Sequence, residues 1–139
     1  SYFDIDVPAV KLLGLRSWDL IPNLGAEPAL IGAWFAGSPV EERDRFIERF
    51  KRAFGRVPPR LATLAYDATA LAAILGQAEG GPDYSAQALM DRNGFLGVDG
   101  IFRLNADGIA ERVFTIYEVT RDGVKARRTA PTSFTPLTN

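Results

Sequence analysis

Residues 55–76 read GRVPPRLATLAYDATALAAILG, and the fold turns on how the second part of that stretch is understood. From Pro59 to Leu75, Leu61, Leu64, Leu71, Ile74 and Leu75 stand among alanines, so a helix over this span is apolar on nearly every face. Such a helix has to be covered on all sides by protein or lipid. It is short for a membrane span, Tyr66-Asp67 interrupts it and Arg60 opens it, which together predict a buried helix of an α/β protein. The alanines add little volume and let neighbouring elements come close.

Immediately upstream the pattern is also helical, but amphipathic. Ser38-Pro39-Val40-Glu41 has the form of a capping box: Ser38 accepts from the Glu41 N–H, Glu41 reaches back to Ser38, and Pro39 occupies the first helical position. Phe46, Ile47, Phe50, Ala53 and Phe54 then make one apolar face, with Glu41→Arg45 and Glu48→Arg52 pairs on the wet side. Gly55 is the expected stop, and Val57-Pro58-Pro59 an extended link between two helices that should pack together.

Further toward the N-terminus, Val10 to Leu15 is a short apolar run that suits a buried parallel strand, and Ala29 to Ala36 (ALIGAWFA) suits another. The segment Leu15-Arg16-Ser17-Trp18-Asp19 is then a loop at the carboxyl edge of a strand, where open α/β sheets bind ligands. Trp18 either covers the sheet edge or lines a site, and Arg16 is either solvated or binds. Ser1 to Asp6 carries no cap or turn signal and no basic, apolar leader, as though cut from a larger chain.

Downstream, Gly80-Gly81-Pro82-Asp83 is a loop and Ser85 to Asp91 a short helix capped by Ser85. Ile101–Leu104 and Arg112–Thr120 read as a hairpin around Asn105-Ala106-Asp107-Gly108, with a further strand, Val124 to Arg128, after a turn at Arg121-Asp122-Gly123. Ala130 to Asn139 reads as an extended, surface-lying tail. Gly94, Gly97 and Gly100 lack phosphate-loop spacing and are read as turn geometry. Asn105 to Gly108 resembles a calcium loop only superficially, because Arg103 and Phe114 stand where acidic ligands belong. Lys125, Arg127 and Arg128 suit a solvated edge strand better than a nucleic-acid patch.

The chain's 139 residues, 47% hydrophobic and 24% charged, suit one globular domain with its own core. A net charge of −1 gives no reason to expect nucleic acid as partner. Without cysteine or histidine there is no thiolate chemistry, no usual general base and no Cys- or His-based metal site; no cofactor or metal is expected, and only carboxylates remain for catalysis. Asp67, an ionisable group within an apolar helix, has to be paired or wetted. Either it bonds to a neighbouring loop backbone or projects from the one wet edge, with Tyr66 a core aromatic, or both border a ligand cleft.

GLRSWD, LIGAWFAG, FIERFKRAFGRVPPRLATLAYDATALAAIL and GFLGVDGIFRLNADGIAERVFTIYEV, in that order, resemble the C-terminal portion of the type I periplasmic binding proteins, the Leu/Ile/Val-binding receptor superfamily. The G-x-x-x-W-D loop, the A-Y-D-A helix and the G-F-x-G-V-x-G-x-F-R hairpin are most similar to the branch of penicillin-binding-protein activators. The resemblance implies an α/β, bilobed fold, with a parallel sheet flanked by helices in each lobe, a C-terminal β-hairpin and a cleft between lobes. Residues 1–37 would then supply second-lobe strands and the cleft loop, 38–93 the helices of the first lobe, and 94–139 the crossover hairpin and tail. It further implies a non-enzymatic periplasmic protein, lipid-anchored or free, that passes a small solute to the membrane permease of an ABC-type, branched-chain amino acid-like uptake system. The alternative is an interaction protein contacting a cell-wall synthase. A chain holding only the late part of such a fold would expose surface and repack, swap or dimerise. Ligand-lining positions carried over by the resemblance are Arg16, Ser17, Trp18 and Asp19 on the loop, and Leu61, Tyr66 and Asp67 on the late helix. Arg16 stands where amino-acid-binding relatives place a carboxylate, which suits an anionic group on the ligand better than an ammonium; a shift of one to three residues in the match gives the carboxylate's role to Asp19 instead.

Overall fold

A computed structural model describes residues 10–134. The expectations for the first residues, and for the tail beyond Phe134, lie outside the described residues. The chain divides into two compact units, one formed by the residues up to Ser38 together with Phe114–Thr129, the other by Pro39–Val113 together with the residues from Ala130. The backbone therefore passes from one unit to the other at three points.

The first unit is a four-stranded sheet in the order β1-β2-β6-β7. β1 (Leu13–Gly14) runs parallel to β2 (Trp34–Gly37), while β6 (Thr115–Thr120) and β7 (Gly123–Arg128) are antiparallel to their neighbours. The sheet is thus mixed where a parallel one was expected, because its second half comes from a late hairpin with the short turn that antiparallel pairing allows. β1 is two residues long and not buried: Leu13 is 75% exposed. Among the described residues of this unit, Leu24, Ala33, Phe35, Tyr117 and Val119 are the buried apolar ones. The run from Ala29 does not become a strand until Trp34. Pro28–Leu30 forms a 3-10 turn instead, for which Pro28 supplies a preset first position and the Glu27 side chain accepts from the Ala29 N–H.

In the second unit, α1 (Val40–Phe54) ends at Gly55 in the left-handed conformation, as its sequence requires. Its start departs from the capping box: Pro39 is the N-cap and no side chain caps it. α2 (Ala62–Gly76) is the apolar helix. It is covered along one stripe, Thr63, Asp67, Leu71 and Leu75 at four-residue spacing, and not on every side. Leu61, Leu64 and Ile74 remain exposed, because the described elements of this unit supply one covering layer. α1 and α2 meet where the Tyr66 ring stands edge-on to Phe46, with centroids 5.2 Å apart.

That layer is a three-stranded antiparallel sheet of β3 (Phe95–Gly97), β4 (Gly100–Leu104) and β5 (Ala110–Arg112). Leu71, Leu75 and Phe102 form the core, flanked by Leu89 of the short α3 (Ala86–Leu89), by Phe95 and by Leu104. Ser85 caps α3, accepting from the Ala88 N–H at 3.2 Å. The hairpin expected from Ile101 to Thr120 is divided: β5 pairs with β4, whereas β6 belongs to the other unit's sheet. The division falls at Val113-Phe114, where the chain changes units. β3 was hidden in the sequence by its glycines. Gly94 and Gly100 adopt positive φ (72° and 97°), and Gly97 lies so close to Asp67 that a Cβ there would strike the carboxylate.

Candidate functional site

The carboxyl ends of the parallel strands β1 and β2 lie at one edge of the first unit's sheet, and so does the start of β6, since Gly37 pairs with Thr115. Three short segments therefore converge there: the 3-10 turn Arg16–Leu20 after β1, Ser38 after β2, and Phe114 before β6. This is where an open α/β sheet presents a ligand edge.

Each side chain at this edge has an identifiable anchor. A Cβ at Gly14 would fall inside the Trp18 ring, so glycine is what lets the indole lie flat against the end of β1. Trp18 tilts against Phe35 at 6.1 Å between centroids, and Phe35 stacks on Tyr117 at 5.5 Å. The Arg16 guanidinium lies over the Phe114 ring, 4.9 Å from its centroid, and donates from Nη2 to the Ser38 hydroxyl at 3.5 Å. Asp19 accepts from the Ser38 N–H at 3.3 Å. The Tyr117 hydroxyl donates to the Ser38 carbonyl at 3.0 Å. Ser17 is exposed, and Arg16, Trp18 and Asp19 are half-buried. The edge thus offers a planar cation on an aromatic face beside an indole, a pairing suited to a carboxylate or another anion with an apolar body.

Ser38 and Tyr117 belong to this arrangement, and the sequence did not point to either. Ser38 was concealed by its capping box. Tyr117 follows the strand alternation as a core residue, and its hydroxyl contact spans 79 positions.

The other three sequence candidates lie on or just before α2, in the second unit. Leu61 is 72% and Tyr66 42% exposed. Arg49 lies over the Tyr66 ring at 5.6 Å, so this tyrosine is not the core aromatic of the first alternative. Asp67 is 4% exposed and bonds to a neighbouring loop backbone, one of the readings left open for it. It accepts from the Val98 N–H at 2.7 Å and from Arg112 Nη1 at 3.1 Å. One turn earlier, Thr63 donates to the fully buried Asp99 at 2.8 Å, and Arg60 pairs with the same carboxylate at 3.3 Å. Both acidic residues therefore fasten the 97–100 turn onto α2. Among the described residues no group of three or more acidic side chains is set to hold a metal ion, and no helix is long and apolar enough to cross a membrane.

The same arrangement of elements occurs in solved structures. A putative branched-chain amino acid ABC transporter protein from Rhodospirillum rubrum superposes with a TM-score of 0.64 at 21% identity, over 85% of this chain and 37% of that one. An ABC transporter substrate-binding protein from Desulfitobacterium hafniense in complex with Leu gives 0.51 at 23% identity, over 84% and 35%. A second structure of an ABC transporter substrate-binding protein from that organism gives 0.50 at 25% identity, over 84% and 35%. The fold is that of the type I periplasmic binding proteins. This chain spans a little over a third of the length of these bilobed relatives in structure. No protein-family model matches it. No curated protein matches it either. The likenesses do not single out the penicillin-binding-protein activators.

Proposed function

We propose that the protein to which this chain belongs is a non-enzymatic solute-binding protein of an ABC-type uptake system, working outside the cytoplasmic membrane and delivering its ligand to a membrane permease. The observation that carries the reading is the converging sheet edge, where Arg16 is stacked on Phe114 and Trp18 is seated on Gly14 beside it. Fold similarity supports it: one protein of this fold holds Leu. A guanidinium at the edge favours a solute that presents a carboxylate or comparable anion toward Arg16, with an apolar portion against Trp18.

The test is a thermal-shift screen of the full-length protein with branched-chain amino acids and with aliphatic and aromatic carboxylates lacking the amino group. Saturable stabilisation by at least one carboxylate is expected, of about 2.7 kcal/mol at a hundredfold excess over Kd. Arg16→Ala and Trp18→Ala should each remove most of that shift. An unchanged shift in both variants would refute the assignment of this edge.

A further inference from the structure

In the register of the first unit's sheet, Gly14 is the partner of Phe35 and Phe35 is the partner of Tyr117, so the three positions form one row across β1, β2 and β6. Two of them carry rings, stacked with centroids 5.5 Å apart, and the third carries no side chain. Gly14 has no backbone reason to be glycine, since it is not among the glycines with positive φ. Glycine in a strand costs chain entropy and packs nothing. Its place in the row is filled from outside the strand: Trp18, on the following 3-10 turn, lays its indole over Gly14 and beside Phe35, at 6.1 Å between centroids. Gly37, at the end of β2, likewise lacks a positive φ, and a Cβ there would stand 3.2 Å from both the Phe35 and the Tyr117 rings. Both parallel strands thus end in a glycine that makes room for the same row of rings.

A strand position that gives up its own side chain to seat one from a turn at the ligand edge marks a place where function constrains the sequence. We infer that Gly14 is a positioning residue that sets how large a solute this edge admits, by fixing the depth at which the Trp18 indole lies. This rests on the edge being the solute-binding site proposed above. The physical case is steric. Any side chain at position 14 would put its Cβ into the indole, and the indole is what has to move, because the Gly14 backbone is held by its pairing with β2. Movement inward is closed: Phe35 and Tyr117 are both buried and stacked on one another, and a close-packed interior does not give way to a ring. The half-buried indole can go only outward, into the space where the apolar part of a solute would lie against it. Glycine therefore gives the deepest seat and the widest edge, and a single methyl at position 14 narrows it.

The first measurement needs no ligand. By NMR of the full-length protein, one Hα of Gly14 should resonate far upfield of its random-coil position, because it lies over the indole, and Trp18→Ala should abolish that shift. Titration with acetate, butyrate, hexanoate and octanoate, which carry no ring current of their own, should leave the resonance in place, since the indole is seated before the solute arrives. A resonance that moves downfield as the acids lengthen would show an indole that yields, and would overturn the inference. In Gly14→Ala, the longest acid that the parent binds should lose about tenfold or more in affinity, the scale on which a hydrophobic pocket discriminates a methylene, while the shortest one bound should stay within about twofold. Equal losses for long and short acids would make Gly14 a merely structural residue and overturn the inference. If alanine unfolds the protein, the titration of the parent decides alone. A protein that binds none of these acids, with the Gly14 resonance still upfield, would sink the solute-binding reading and the size limit with it, while the seat of the indole stands. A yielding indole in a protein that loses its acid on Arg16→Ala would instead overturn the inference and leave the solute-binding reading intact.

Discussion

Glu118 shows how a single side chain ties three strands of the first unit together. Its carboxylate receives a two-pronged contact from Arg127, Nε to Oε2 at 2.8 Å and Nη2 to Oε1 at 2.7 Å, while the Trp34 indole donates to Oε2 at 2.8 Å. The register shift between Ile116 and Tyr117 leaves Arg127 as the extra residue of β7 and turns its side chain toward Glu118. Hydrogen bonding by Arg127, and next by Trp34, lowers the Glu118 carboxyl from 4.5 to about 2. The folded state therefore favours the ionised form: its contribution is complete above pH 4.5 and is lost as pH falls from 4.5 toward 2. Melting temperatures followed across that window should decline less steeply in Glu118→Gln than in the parent; equal slopes would contradict the assignment. Asp67 allows a stronger prediction. Removing its carboxylate takes the acceptor from the Val98 N–H and the counter-charge from the Arg112 guanidinium, whose side chain is only 11% exposed and which keeps its bond to the Gly100 carbonyl. Asp67→Ala should cost about 3–5 kcal/mol in denaturant unfolding, the range for breaking a buried pair. Asp67→Asn, which can still accept from Val98, should cost clearly less.

Among the elements, the two serines placed before helices behave differently, and the contrast is measurable. Ser85→Ala should loosen the start of α3 by about 1 kcal/mol, the usual worth of a serine cap, read as faster amide exchange at Ala88. Gly55→Ala should cost a similar amount, about 1 kcal/mol, because α1 ends there at φ 65°. Elements with strong local signals were legible in the sequence: the stop of α1 at Gly55, the Ser85 cap, the turn at Gly123 and the existence of α2. What the sequence concealed depended on distant partners. Nothing local shows that Ser38 will be taken up by Tyr117, or that the continuous run from Arg112 to Thr120 will be divided between two sheets. β3 was hidden because its glycines serve Asp67 and positive φ, and so dilute the apolar alternation by which strands are recognised. Of the site, the Arg16–Asp19 turn at a strand end was readable from Gly14 and Trp18, whereas Ser38 and Phe114 were not.

At the scale of the molecule, what the chain leaves uncovered matters as much as what it buries. Leu13, Leu15 and Trp34 are exposed in one unit, and Leu61, Leu64 and Ile74 in the other. A largely apolar helix covered along one stripe calls for further layers, and this chain spans only 35–37% of the similar structures' length. The 139 residues prepared alone should accordingly bind a hydrophobic dye such as ANS strongly, and the full-length protein should bind it weakly; equal binding would contradict this account of the exposed faces.

The central claim, that the edge formed by Arg16, Trp18 and Ser38 receives an acidic solute, is tested most directly by a crystal structure of the full-length protein with a carboxylate from the thermal-shift screen. The account predicts the ligand's anionic group within hydrogen-bond distance of the Arg16 guanidinium and its apolar part against Trp18. A ligand bound elsewhere, with no group of it within hydrogen-bond distance of Arg16, would contradict it.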